Sequence, residues 1–174
     1  YTLEGGYGSR VVVKGAGFIL NNEMGDFNKK PGETNTRGDI GTPANLIAPG
    51  KRMLSSMTPT IVTKDGKVVV VTGSPGGRTI INTVLCIILN VTEFGMNGRE
   101  AVDSPRMHHQ WLPDSLSLEK GSISDADLEL LKRMGHNVSQ QGQQGDGNTI
   151  IVDPKTKTAF GISDKRNVSS RAAR

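Results

Sequence analysis

VVVVTGSPGG, residues 68–77, is the stretch from which the fold is read. Its β-branched run, Val68 to Thr72, breaks into a turn carrying Gly73, Gly76 and Gly77. A run apolar on both faces suits a central strand covered on each side. From Thr79 to Met96 the chain is apolar almost all round, as expected of a helix buried between layers. Glycines between a strand end and a helix start let backbone N–H groups approach an anion closely, whether a phosphate or a developing oxyanion. Nucleotide loops are excluded, because no Lys-Ser/Thr follows GSPGG and the spacing is not G-x-G-x-x-G. On spacing alone, a structural turn and an oxyanion site stand level.

Upstream, PTIVTKDGKVVVVTG (59–73) reads as a hairpin turning at Asp65-Gly66. Downstream, SDADLELLKRMG (124–135) has a Ser N-cap, acids in its first turn, Lys-Arg in its last and a terminal Gly, which predicts a surface helix. NTIIVDPKTKTAFGISD (148–164) reads as a second hairpin, and residues 1–13 and 16–21 as two further strands. Residues 28–49 hold few large apolar side chains; so long a loop reads as a lid or binding loop, with a disordered insertion as the alternative. With 22 glycines and 34% apolar residues in 174, these elements predict one loop-rich domain of the α/β or α+β class, a sheet core with helices outside it.

Composition narrows the function classes. The 21 basic residues are offset by 17 acidic ones to a net charge of +4, and no basic block with interleaved aromatics supports nucleic-acid binding. The basic tail, 165–174, reads as a solvated terminus or an electrostatic arm. The single cysteine, Cys86, permits no intrachain disulfide and reads as a buried, inert thiol. The longest apolar stretch, IINTVLCIILNV, is too short for a membrane span. The chain opens on Tyr1 with no signal peptide, as a processed or truncated product would. Adjacent His108 and His109 would point to opposite faces of a strand, and no third ligand stands at a useful spacing, so neither a metal nor an organic cofactor is expected.

Two short segments carry further candidates. Glu23 and Asp26, in NNEMGDF, are carboxylates suited to an ammonium group, or simply a solvated turn. Ser55 and Ser56, in KRMLSSMTP, are hydroxyls suited to a carboxylate, or ordinary turn residues before a strand. Together with the glycine amides, these groups are what an α-amino acid held through its side-chain acyl group would need.

Four motifs, GFILNNEMGDF (17–27), KRMLSSMTPTIV (51–62), TGSPGGRTI (72–80) and PRMHHQWLPD (105–114), closely resemble, in order and spacing, the small subunit of γ-glutamyltransferases. The similarity runs from Tyr1 to about Asp164. It implies the αββα four-layer sandwich of N-terminal nucleophile hydrolases, here without its first strands. It also implies a precursor that cuts itself into a large and a small subunit, the large one being this chain's partner. The activity implied is cleavage of γ-glutamyl amides such as glutathione through a γ-glutamyl-enzyme, with transfer to water, amino acids or peptides. By the same resemblance, Gly76 and Gly77 form the oxyanion hole. Glu23 and Asp26, with Glu4 nearby, hold the α-amino group. Ser55 and Ser56, with an arginine of the large subunit, hold the α-carboxylate. Thr2 hydrogen-bonds the nucleophile, and residues 29–49 are a lid in which Arg37 stands where several members have a gating Tyr. Met53 replaces the Pro of most relatives.

The nucleophilic Thr of the family lies about a hairpin's length upstream of Tyr1. Thr2 is no substitute, because its amine is tied into a peptide bond. The 174 residues alone are therefore expected to be inactive. Family members face the periplasm or the cell surface, or are secreted. Alternatives are a glutaryl or cephalosporin acylase, a polyglutamate-processing relative, or a non-catalytic binding module.

Overall fold

The structure is a computed structural model that describes residues 1–28, 30–37 and 39–168. Length alone points to one domain; the described residues group into two compact units, Tyr1–Met57 with Trp111–Pro113, and Thr58–Gln110 with the chain from Asp114 onward. As expected, the fold is α+β.

The first unit is built of turns. Two 3-10 helices, Glu23–Asp26 and Pro43–Asn45, are its regular elements among the described residues. The two strands expected before residue 22 shrink to a bridge between Val12 and Ile19, flanked by backbone bonds from Val13 N–H to Phe18 O and from Leu20 N–H to Val11 O, both 2.9 Å. The cause is local, since Glu4, Tyr7, Gly8 and Arg10 all have positive φ, which breaks an extended run. Described residues at the two ends of the 29–49 loop are tied to its flanks. Asn28 and Asn45 pair through Asn28 N–H to Asn45 O (3.0 Å), and Lys51 Nζ donates to Leu46 O (2.8 Å) while lying 5.8 Å over the Phe27 ring.

The second unit holds two sheets. Strands β1 (Thr60–Lys64), β2 (Lys67–Gly73), β6 (Asn148–Val152) and β7 (Ala159–Ile162) are antiparallel in the order β1-β2-β6-β7. The Asp65-Gly66 turn is as expected: Lys64 pairs with Lys67, and both turn residues take positive φ, 51° and 72°. A smaller sheet joins β3 (Met107–His108), β4 (Leu116–Glu119) and β5 (Val138–Gln141), with β4 and β5 parallel and linked through α3 (Asp125–Arg133). Ser124 caps α3 by accepting from Asp127 N–H.

The helix after the glycines, α1 (Ile80–Thr92), packs beside α2 (Gly98–Asp103) over one face of the first sheet. Val70, Val84, Ile87, Val102 and Ile162 form the apolar interior there. Two expectations need correction. β2 is central but is covered on one side: Val70 and Thr72 are buried, whereas on the other face Ile61 and Ile150 are 64% and 43% exposed. Helix α1 likewise buries one stripe and exposes Ile81, Leu85 and Leu89, a row at helical spacing. Apolar periodicity reports what a residue prefers, and here part of the cover is not supplied by the described residues. Cys86, on α1, is accordingly half-buried, with Sγ 3.9 Å from Met107 O.

A buried ion cluster ties the end of the chain to both sheets. Arg106 and Asp164 meet at 2.6 Å and are 1% and 0% exposed at the side chain. Arg166 bonds Asp164 Oδ1 at 3.0 Å and also pairs with Glu119. Arg166 is thus no part of a solvated arm, since its side chain is 4% exposed; residues 169–174 of the expected tail lie outside the described residues. Burial pushes the Glu119 and Asp164 carboxyls up. Hydrogen bonds from Arg166 and from the Gln144 and Arg106 amides outweigh this at Glu119, and those from the Arg166 and Gly147 amides and the Arg106 side chain do so at Asp164, so both end below their ordinary values of 4.5 and 3.8. Both groups therefore add stability that is complete above those ordinary values and is lost as pH falls through the lowered folded ones. The urea midpoint is expected to drop between pH 6 and pH 3, and to do so equally in high salt, because a buried cluster is poorly screened. A midpoint that holds steady to pH 3 would show that the cluster contributes nothing.

Candidate active site

Among the candidates of the first unit, Ser56 meets Glu23. This carboxylate is fully buried, at 0% exposure, in the first turn of the Glu23–Asp26 helix. Its Oε1 accepts from Ser56 Oγ at 2.7 Å. Its Oε2 has no hydrogen-bond partner among the described residues. A buried carboxylate with one open oxygen is costly unless a donor arrives from outside, and a cation is the fitting donor. Asp26 lies one helical turn on, partly buried, and its carbonyl accepts from Asn45 Nδ2 at 2.7 Å.

Ser55 and Ser56 divide. Ser55 is exposed, and its Oγ accepts from Met57 N–H (3.2 Å). Ser56 spends its single proton on Glu23, so the structure pairs it with the carboxylate expected to bind an amine. Thr2 and Glu4 are joined, the Glu4 amide donating to Thr2 Oγ1 at 3.0 Å, and Glu4 is exposed with φ 70°. Thr2 also lines a groove of about 490 Å³ with Tyr1, Leu3 and Phe18–Asn21. Arg37 is at the loop surface, 3.9 Å from Asp39.

In the second unit, Gly76 and Gly77 lie exposed between β2 and α1 in positive-φ conformations, 144° and 57°. A side chain at Gly76 would place Cβ 2.7 Å from Thr79 Oγ1 and 3.3 Å from Gly145 Cα. Among the described residues neither glycine amide donates a hydrogen bond to the protein. Two exposed, adjacent N–H groups are what an oxyanion takes. Sequence reasoning missed the loop behind them: Gly145 packs against Ser74 and Thr83, and Asp146 N–H donates to Ser74 Oγ at 2.9 Å. The signal was the glycine spacing in GQQGDG, residues 142–147.

His108 and His109 have side-chain partners. His108 is buried between Asn82 and Gln110 side chains at 2.9 and 2.8 Å, and His109 faces Asp114 at 3.1 Å. Among the described residues no cluster of His, Cys, Asp or Glu is placed to hold a metal, and no helix is long and apolar enough to cross a membrane.

Comparison with known proteins agrees with these motifs. Residues 1–173 match the family described as Gamma-glutamyltranspeptidase. The chain is 47% identical to the glutathione hydrolase proenzyme of Escherichia coli K12, over 99% of its own length and 30% of that protein's. It is 48% identical to the Pseudomonas aeruginosa protein of the same name, over 89% and 28%. It therefore spans about a third or less of these relatives. Among solved structures, the T380A mutant of Helicobacter pylori γ-glutamyltranspeptidase superposes with a TM-score of 0.85 at 49% identity, covering 96% of this chain and 91% of that one. The Pseudomonas nitroreducens enzyme complexed with L-DON gives 0.82 at 43%, covering 100% and 91%. The expected fold class is borne out, and the chain belongs to the γ-glutamyltranspeptidase family of N-terminal nucleophile hydrolases.

Proposed function

We propose that this chain is most of the small subunit of a γ-glutamyltransferase that cleaves γ-glutamyl amides such as glutathione. The observation that supports it best is Glu23, a buried carboxylate with one satisfied and one open oxygen. An α-ammonium group donating to Oε2 would complete it, with Asp26 and Glu4 adding negative charge. Ser56 Oγ donates to Glu23 Oε1. On binding, its proton turns to the substrate α-carboxylate, which Ser55 and an arginine of the large subunit also hold.

The reaction needs a partner. A threonine exposed by self-cleavage of the precursor attacks the γ-carbonyl, and its own α-amine takes the proton. Thr2 orients that hydroxyl. Negative charge developing on the carbonyl oxygen goes to the Gly76 and Gly77 amides. The α-amine passes that proton to the amide nitrogen, the C–N bond breaks and the free amine departs. Water or the amino group of an acceptor, giving a proton to the same α-amine, then attacks the γ-glutamyl ester and releases the threonine oxygen, which takes the proton back. The 29–49 loop with Arg37 acts as a lid. The apolar sheet face at Ile61 and Ile150 and the α1 row at Ile81, Leu85 and Leu89 are surfaces that the large subunit covers. The compartment fitting this family is the periplasm, the cell surface or the exterior.

The test uses the two-subunit protein expressed from its full precursor. It is expected to turn over γ-glutamyl-p-nitroanilide and to ignore the glutaryl analogue, which lacks the α-amine. Glu23→Ala removes a charge-assisted hydrogen bond of about 1.5–3 kcal/mol, so KM is expected to rise roughly 10- to 150-fold with a smaller change in kcat. Preference for the glutaryl substrate would replace this reading with that of an acylase. A processed protein inert to both would leave a binding module.

A further inference from the structure

Two hydroxyls flank the glycine turn, and each donates its proton to a carbonyl within it. Ser74 Oγ donates to Pro75 O at 2.6 Å and accepts from Asp146 N–H at 2.9 Å, so its donor and acceptor directions are both set. Thr79 Oγ1 donates to Gly76 O at 2.9 Å, alongside the Thr79 amide at 3.2 Å.

The consequence follows from the planarity of the peptide bond. In a trans peptide the C=O of one residue and the N–H of the next point in opposite directions. Pinning Pro75 O onto Ser74 therefore aims the Gly76 N–H to the opposite side of that peptide plane. Pinning Gly76 O onto Thr79 aims the Gly77 N–H in the same manner. Glycine has no Cβ to resist rotation of these peptide planes, so without such ties a Pro-Gly-Gly turn would sample several orientations. The tie at Ser74 is backed by a rigid wall. Gly145 takes φ 68° and comes so close that a Cβ there would stand 2.7 Å from Ser74 Oγ and 2.5 Å from Thr83 Oγ1. The same loop is fastened from behind by Gly147 N–H to Asp164 Oδ2 at 2.7 Å, and by Asn167 Nδ2 to Asp146 Oδ2 at 2.6 Å.

We propose that Ser74 and Thr79 are positioning residues, each fixing the direction of one oxyanion-binding amide by holding the carbonyl at the other side of its peptide plane. This rests on the reading of Gly76 and Gly77 as oxyanion donors. The two hydroxyls are not equivalent. Ser74 is the only hydrogen bond to Pro75 O among the described residues, whereas Gly76 O keeps the Thr79 amide when the hydroxyl is removed.

The experiment is a kinetic comparison of processed two-subunit protein carrying Ser74→Ala, Ser74→Thr, Thr79→Val or Gly76→Ala. Each variant is checked for precursor cleavage and thermal midpoint. Misplacement of a catalytic group by about 1 Å costs on the order of 100-fold in rate. Ser74→Ala is expected to lower kcat about 10- to 100-fold with KM within twofold, the acyl-enzyme burst slowing in parallel. Ser74→Thr, which keeps the hydroxyl, recovers most of it, and Thr79→Val loses only about 3- to 10-fold. Loss of kcat in Gly76→Ala with none in Ser74→Ala would overturn the positioning role alone. No loss in either would overturn the oxyanion reading beneath it. A Ser74→Ala defect that tracks a fallen midpoint, with no recovery in Ser74→Thr, would assign the residue to folding instead.

Discussion

Asp164→Ala is expected to lower the stability of the protein by about 3–5 kcal/mol, the usual cost of stripping one partner from a buried ion pair. The substitution leaves the Arg106 guanidinium, 1% exposed, without its carboxylate, and orphans the Gly147 amide as well. Arg166 would lose one of its two acidic partners and keep Glu119. Against a total of about 5–15 kcal/mol for a typical domain, such a loss is a large share. The thermal midpoint should fall by roughly 10 °C or more. Replacing both Arg106 and Asp164 by apolar residues of similar volume should recover part of it, since the desolvation cost of the pair is then removed too. Differential scanning calorimetry of the single and double variants measures this. A single variant within 2 °C of the parent, on that same scale, would mean that the cluster is solvated in solution.

For Gly76→Ala the expected loss is catalytic. The backbone there has φ 144°, and an added Cβ would meet Thr79 Oγ1 at 2.7 Å, so the peptide planes on both sides must rotate. An oxyanion donor moved out of line costs roughly 100- to 1,000-fold in kcat. Gly77→Ala should be milder, because its Cβ would point into open space and only the strain of φ 57° opposes it. The order of the two effects is the sharper test. Steady-state kinetics in which Gly77→Ala is the worse variant, or in which Gly76→Ala retains kcat within threefold of the parent, would remove the turn from the chemistry.

Much of the architecture was legible because it rests on local chemistry. Asp65-Gly66 between β-branched runs names its own turn, since few other pairs accept two successive positive φ angles. Ser124, followed by acids and then by Lys132 and Arg133, marks both ends of α3. The four family motifs are continuous stretches of sequence, and so the family was legible too. Residues 1–21 misread as strands because their composition is extended-like, while the positive φ falls at Glu4, Tyr7 and Arg10, residue types that carry no signal for it.

Residue order by itself determined the hairpins, the capped helix, the glycine turn and the membership of this chain in its family, because each depends on side chains within a few positions of one another. Only the tertiary structure decided that Ser56 spends its proton on Glu23, that Arg166 is sunk in an ion cluster, and that Ser74 is braced by Asp146. Partners separated by 33, 47 and 72 residues leave no periodic trace in a sequence. A hydroxyl or guanidinium satisfies whichever acceptor the folded chain brings to it, and that choice is made by packing.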